Sequence, residues 1–109
     1  MTRWVATAIG GQPVLPGTTI DAAFDDNGRL MGTAGCNRYS AACTREGDTI
    51  SIGPAISTRM FCAQPAGVME QEAAYLAALE RAASAVAGDG TLALTDAAGA
   101  ELVAFTEAG

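Results

Sequence analysis

Along most of the chain, apolar and polar residues alternate in short runs, the pattern of β-strands that bury one face. The first run ends at Gly10-Gly11, and Asp25-Asp26-Asn27-Gly28 between two later runs is a hairpin signal. The hairpins before and after the middle of the chain resemble each other, which indicates either a weak internal repeat or one turn chemistry used twice. The pattern predicts strands over residues 4–9, 19–24, 29–34, 37–44, 49–52, 91–95 and 101–105.

One helix is predicted over residues 66–83, after Pro65, which suits a first helical turn. The segment is rich in alanine, a strong helix former. At 100° per residue its apolar face carries Val68, Met69, Tyr75, Leu76, Leu79 and Ala83. The opposite direction is taken by Glu70, Gln71 and Arg81.

Glu72 breaks this helical pattern because it projects near the middle of the apolar face. A buried carboxylate must be paired, hydrogen-bonded or protonated. Either the helix is phased differently and Glu72 is exposed to solvent, or Glu72 is buried and ties the helix to neighbouring loops. For the buried case we predict partners among the N–H groups and side chains of residues 57–60. The candidates are Arg59, then Arg38, with Thr58 and Asn37 as neutral partners.

Residues 36–39 place a thiol, an amide, a guanidinium and a phenol side by side, which raises the question of an active site. In an extended strand, one face would carry Asn37, Tyr39, Ala41 and Cys43. The other face would carry Arg38, Ser40 and Ala42. The first set suits a core and the second suits solvent. We therefore favour a strand with a buried Tyr39 over an active site.

Composition and charge restrict the kinds of molecule that the chain could bind. The chain has 109 residues, enough for one domain, and a net charge of −6. Its six cations are all arginines scattered along the sequence, which argues against nucleic acid and anionic lipid as ligands. No apolar run approaches transmembrane length, and the N-terminus lacks a hydrophobic signal core. The protein is then either cytoplasmic or the processed form of an exported one.

The sequence lacks the residues that several kinds of catalytic and metal-binding site require. Histidine is absent, which excludes Ser-His-Asp and Cys-His catalysis and imidazole metal sites. The residues 25–28 lack the ligand pattern of a calcium loop, and Glu70 and Glu72 diverge too far on a helix to form an acid–base pair. Two of the three cysteines can form a disulfide and leave one over. We expect no catalytic residue, no cofactor and no metal.

Three motifs in order carry a resemblance to a known family: GCNRYS at residues 35–40, GPAISTRMFC at 53–62 and MEQEAAYLAALE at 69–80. The closing residues 88–105 and an early pattern of Trp4, Gly11, Pro13 and Val14 continue it. In these features the chain resembles the META domain, also called HslJ-like, as a single domain over residues 1–109.

The resemblance implies an α+β fold in which a strongly curved, barrel-like antiparallel sheet of six to eight strands wraps around one α-helix. We expect the hairpins of the two halves of the chain to pair with each other. The resemblance also implies structural roles for the motif residues, which are Gly35, Cys36, Asn37, Arg38, Tyr39, Thr58, Arg59, Met60, Cys62 and Glu72.

A disulfide follows from the same resemblance. Cys36 and Cys62 both stand in matched motifs, and a sheet wrapped on the helix would bring the strand start near the helix entry. We therefore predict a disulfide between them if the protein is exported. Cys43, a thiol that the family does not require, is expected to be free and largely buried.

Three hypotheses for function follow. The first, implied by the family, is a non-enzymatic, monomeric module of the bacterial cell envelope, often a lipoprotein, linked to heat shock and stress, with an unknown protein or envelope partner. The second is a module that binds a small ligand or peptide on the concave face or an open edge strand of the sheet. The third is a thiol redox protein that uses Cys36 and Cys62, with Arg59 close to the second cysteine.

Overall fold

A computed structural model describes residues 2–108 of the chain. Strands come first, then one helix, then three more strands. The elements are β1 (Arg3–Ile9), β2 (Gln12–Pro13), β3 (Asp21–Phe24), β4 (Arg29–Thr33), β5 (Arg38–Glu46), β6 (Thr49–Ile52), β7 (Ile56–Ser57), α1 (Val68–Arg81), β8 (Ser84–Ala87), β9 (Thr91–Thr95) and β10 (Glu101–Glu107).

Eight of these strands close into an antiparallel barrel. Their order around the ring is β1, β3, β4, β5, β6, β8, β9 and β10, and β10 returns to pair with β1. The closing contact runs from Trp4 opposite Glu107 to Ile9 opposite Val103. The short strands β2 and β7 pair outside this ring, with β1 and β5 respectively. The predicted α+β fold with a strongly curved sheet is confirmed, and the two halves of the chain pair as expected.

The core lies where α1 packs against the inner face of the barrel. Alternation decides which strand residues contribute, as in β5, where Tyr39, Ala41 and Cys43 are buried and Arg38 is exposed. This confirms the predicted two faces of the strand. The largest fully buried side chains are Tyr75, Phe105, Ile20, Leu30, Leu79, Leu94 and Val103. Burial of this apolar surface is the main favourable term in folding.

The sequence-based boundaries differ from the structure around the helix. Helix α1 spans Val68–Arg81, shorter than the predicted residues 66–83, because Gly67 is left-handed (φ 88°) and Ala82 is already extended. Ser84–Ala87 then forms β8, which alternation did not predict. This short, alanine-rich run is held extended by its pairing with β9. The two-residue strands β2 and β7 were also missed, because so short a run has no readable period.

Gly32 marks a place where two strands approach too closely for a side chain. A Cβ at this position would collide with the carbonyl oxygen of Asp21. We expect Gly32→Ala to lower the free energy of unfolding by about 2 kcal/mol, because overpacking forces the backbone to shift. Urea denaturation measures this effect. Gly53→Ala is the matched control, since its Cβ would make only ordinary 3.8 Å contacts with Ala42. Equal stability of the two variants would contradict the prediction.

Candidate functional site

Glu72 lies at the junction between α1 and the turn that leads into β5. Only 5% of it is exposed, so the buried alternative of the sequence analysis is the correct one. Its Oε1 atom accepts hydrogen bonds from the backbone N–H groups of Cys36 at 3.0 Å and Asn37 at 2.7 Å. Its Oε2 atom accepts a third bond from Asn37 Nδ2 at 2.7 Å. The helix is thereby fixed to the GCN turn, which comprises residues 35–37.

The predicted cationic partners of Glu72 are wrong. Arg59 and Arg38 are exposed, and the recorded hydrogen bonds of Glu72 come instead from the GCN turn. The expected N–H donors of residues 57–60 are replaced by those of residues 36 and 37. Of the two neutral partners predicted, Asn37 is confirmed, whereas Thr58 is wrong because its hydroxyl donates to Asn37 Oδ1 and not to Glu72. Gly35 explains the difference, because its φ of 108° turns the chain so that two successive N–H groups face the carboxylate. Charge-assisted N–H donors satisfy a carboxylate without a cation.

Asn37 connects this junction to the loop before the helix. The side chain is 3% exposed, and its Oδ1 atom accepts bonds from Met60 N–H at 2.7 Å and from Thr58 Oγ1 at 2.9 Å. Its Nδ2 group donates to the Met60 carbonyl at 3.0 Å as well as to Glu72. All donors and acceptors of the amide are therefore used. The sequence placed Asn37 on the inner face but gave no signal that it would join three segments.

The disulfide closes the same junction covalently. Cys36 and Cys62 are bonded, with their Cα atoms 6.0 Å apart, as the resemblance implied. Cys43 is free and buried, which confirms the second part of that prediction. Burial raises the pKa of the Cys43 thiol, although the nearby Arg45 charge opposes this shift. The thiol is thus held in its protonated, unreactive form.

Two tyrosines extend the junction into the core. The hydroxyl groups of Tyr39 and Tyr75 are 2.6 Å apart, and Tyr39 donates its proton to the Asp21 carbonyl at 2.8 Å. Since Tyr39 has only one proton to donate, Tyr75 donates to the Tyr39 oxygen. The rings contact edge to face at 5.5 Å between centroids. Desolvation by burial raises the pKa of both phenols.

The tyrosine pair predicts how stability responds to alkaline pH. The folded protein keeps both phenolic protons at pH values where an unfolded chain begins to lose them, near pH 10. The free energy of unfolding should therefore hold its full value below about pH 10 and fall as the pH rises further. Urea denaturation between pH 8 and 11 measures this slope.

The thiol of Cys43 also has a raised pKa, so the pH series is best run in a Cys43→Ala background. In that background, the added Tyr39→Phe and Tyr75→Phe substitutions should flatten the decline above pH 10. An equally steep decline in the variant would assign the pH response to other groups.

A second feature of the helix is Gln71, which the sequence analysis directed away from the core. It is half-buried, accepts a bond from Leu15 N–H at 2.7 Å and donates to Thr18 Oγ1 at 3.1 Å. Gln71 thus holds the loop between β2 and β3. Beside it lies an open, mostly apolar groove of about 330 Å³ lined by residues that include Ile9 and Pro13.

Comparison with known proteins identifies the family of this chain. A family description of the META domain matches residues 1–109, which is the whole chain. The chain belongs to the META domain family. No curated protein matches it.

Solved structures agree with this META domain fold. An NMR structure of a protein from Burkholderia xenovorans is 25% identical to this chain, with a TM-score of 0.77. The match covers 98% of this chain and 81% of the Burkholderia protein. A second NMR structure is 22% identical, with a TM-score of 0.74 and coverage of 96% and 87%. A crystal structure of a DUF4847 family protein from Bacteroides vulgatus is 15% identical, with a TM-score of 0.59 and coverage of 80% and 57%. The last two show likeness of fold alone.

The motif residues of the META domain separate into two groups. Buried or bonded at the junction are Cys36, Asn37, Tyr39, Cys62 and Glu72, with Thr58 joined to them through its hydroxyl and Gly35 forming the turn. Arg38, Arg59 and Met60 have exposed side chains. The second group is therefore available for contact with other molecules. In residues 2–108, no helix has the length and apolar character needed to cross a membrane.

Proposed function

We propose that this META domain is a non-enzymatic interaction module of the cell envelope, which presents a fixed apolar segment to a partner protein. The observation that carries this proposal is the exposure of large apolar side chains in the segment 56–62. Of the four large hydrophobic side chains that are exposed in the described residues, three lie in it: Ile56 (72%), Met60 (59%) and Phe61 (79%). Concentrated apolar exposure on a soluble domain is typical of an interaction site.

The segment is held in place although most of it is irregular. Cys62 fixes its end through the disulfide, and Asn37 binds both backbone groups of Met60. Thr58 N–H donates to the Arg38 carbonyl at 3.0 Å. A surface that is ordered before binding loses little conformational entropy on association. The junction around Glu72 therefore serves to position the segment 56–62.

The absence of catalysis is part of the proposal. The buried acid and two of the three thiols are already engaged in bonds of the fold. Both carboxylate oxygens of Glu72 accept N–H donors, and two of the cysteines are joined. In residues 2–108, every buried side-chain nitrogen or oxygen has a hydrogen-bond partner. These contacts support a structural role for Glu72, Asn37 and the disulfide.

A photo-crosslinking residue in place of Phe61, introduced in living cells, tests the interaction role. We expect a defined protein adduct at this position, weakened by Met60→Ser, which shortens the apolar surface. The same crosslinker in place of Val86, exposed on β8 and 48% accessible, is the control and should give no such adduct. Identical adducts at both positions, or none at position 61, would contradict the proposal.

The proposed envelope and stress association is supported by the family resemblance and by the disulfide, which is stable in oxidising compartments. Counting the free thiols of the protein in cells tests which compartment it occupies. Heat-stressed cells are quenched with acid to trap the thiols, and the denatured protein is then labelled with a maleimide polymer. One labelled thiol, Cys43, is expected, and three after reduction. Three labelled thiols without reduction would support the cytoplasmic alternative.

A further inference from the structure

The outer face of the barrel next to the segment 56–62 carries a row of adjacent side chains. Met31 on β4 lies opposite Ser40 on β5, which lies opposite Ile56 on β7. Residues directly opposite in antiparallel strands point to the same side of a sheet. Their neighbours Leu30, Tyr39 and Ala41 are buried on the inner face. The row Met31–Ser40–Ile56 therefore faces outward.

Arg38 lies on this outer face two residues along β5 from Ser40, at the same distance from both apolar residues. It follows the parity of Ser40 and is exposed. From strand geometry, its Cα is about 8 Å from those of Met31 and Ile56, one strand across and two residues along. Two adjoining depressions of about 280 and 320 Å³ both include Met31 and Arg38 in their lining. A guanidinium group thus lies beside two apolar contact points.

The charge of Arg38 is not neutralised by the fold. The ion pairs within residues 2–108 are Arg3–Asp21 and Arg81–Asp96. Asp21 lines one of the depressions, but Arg3 binds its Oδ2 atom at 2.7 Å and the Thr33 N–H binds its Oδ1 atom at 2.7 Å. Arg29, on the same outer face, adds a second positive charge and donates to Ser40 Oγ at 3.0 Å.

We propose that this face binds an extended acidic segment of a partner protein, with a carboxylate on Arg38 and flanking apolar side chains on Met31 and Ile56. This inference rests on the proposed interaction role and specifies the chemistry of its partner. Guanidinium groups recognise carboxylates through paired N–H donors. Alternate side chains of an extended peptide lie about 7 Å apart on one side. The matching partner pattern is therefore apolar, any, acidic, any, apolar.

Charge favours a peptide over other anions. Two arginines at this face match one or two carboxylates and do not form the extended basic surface that a phosphate backbone requires. Binding to vesicles that contain anionic lipid would distinguish a membrane surface from a peptide.

The test is an NMR titration of the ¹⁵N-labelled chain with the peptide acetyl-Leu-Ser-Asp-Ser-Leu-amide. We expect amide shifts centred on Met31, Arg38, Ser40 and Ile56, with affinity weakened by added salt. The uncharged counterpart acetyl-Leu-Ser-Asn-Ser-Leu-amide should bind at least about fivefold more weakly, a difference expected for one lost charge-assisted contact. Arg38→Gln should show the same loss for the acidic peptide, whereas Arg81→Gln, which removes an arginine that lines neither depression, should not.

Four results would overturn the inference: no shifts at millimolar peptide, shifts centred elsewhere, equal affinity for the two peptides, or binding to anionic vesicles in place of the peptide. The crosslinking experiment at position 61 separates this outcome from the broader proposal. Adducts at position 61 without peptide binding would reject the acidic partner and keep the interaction role. Peptide binding without adducts would reject the proposal that the segment 56–62 contacts a partner protein.

Discussion

Glu72→Ala is expected to lower the free energy of unfolding by about 3–4 kcal/mol. The substitution leaves three N–H bonds without an acceptor: the backbone N–H of Cys36, the backbone N–H of Asn37, and one of the two N–H bonds of the Asn37 side-chain amide. A buried donor that loses its partner costs about 1–3 kcal/mol, and more for a bond to a charged group. Part of this cost is offset because alanine no longer requires burial of a carboxylate. Urea denaturation at neutral pH measures the change.

Two controls make the result specific to the junction. Glu70→Ala removes an exposed carboxylate from the same helix and should cause a much smaller change. Glu72→Gln keeps the shape, but its amide nitrogen would face the Asn37 Nδ2 donor. This variant should therefore fall between the wild type and Glu72→Ala. Equal small losses for Glu70→Ala and Glu72→Ala would mean that the carboxylate does not stabilise the junction.

Reduction of the disulfide is expected to cost about 3 kcal/mol. Cys36 and Cys62 are separated by 26 positions, and a cross-link of this span restricts the unfolded chain by roughly that amount. The measurement is urea denaturation with and without a reductant. In the Cys36→Ser/Cys62→Ser variant the reductant should have no effect, which separates the disulfide from other action of the reagent.

The two largest effects are expected to be coupled, because the cross-link and Glu72 hold the same turn. Cys36 contributes both its sulfur to the disulfide and its N–H to the carboxylate. Removing one should weaken the other, so that the combined loss differs from the sum of the separate losses. Strict additivity would show that the two restraints act on independent parts of the fold.

The sequence by itself determined the pieces and their faces. Of the eight strands with at least four residues, alternation and turn residues predicted all except β8. Helical periodicity predicted α1 to within two residues at each end. The same periodicity placed Glu72 on the buried face, and strand parity placed Asn37, Tyr39 and Cys43 inside. These properties are local, since a period of 2 or 3.6 fixes which side chains share a face before any partner is known.

Tertiary structure alone decided which backbone groups bind Glu72 and which short segments pair as strands. Arg59 was the first choice for Glu72 because opposite charge is the partner that a sequence can suggest, whereas backbone N–H groups exist at nearly every residue and leave no mark in it. The backbone turn at Gly35 selected residues 36 and 37 as donors. Likewise, β2, β7 and β8 are strands only because neighbours in the closed barrel supply their hydrogen bonds. Long-range geometry, which no local pattern encodes, set both outcomes.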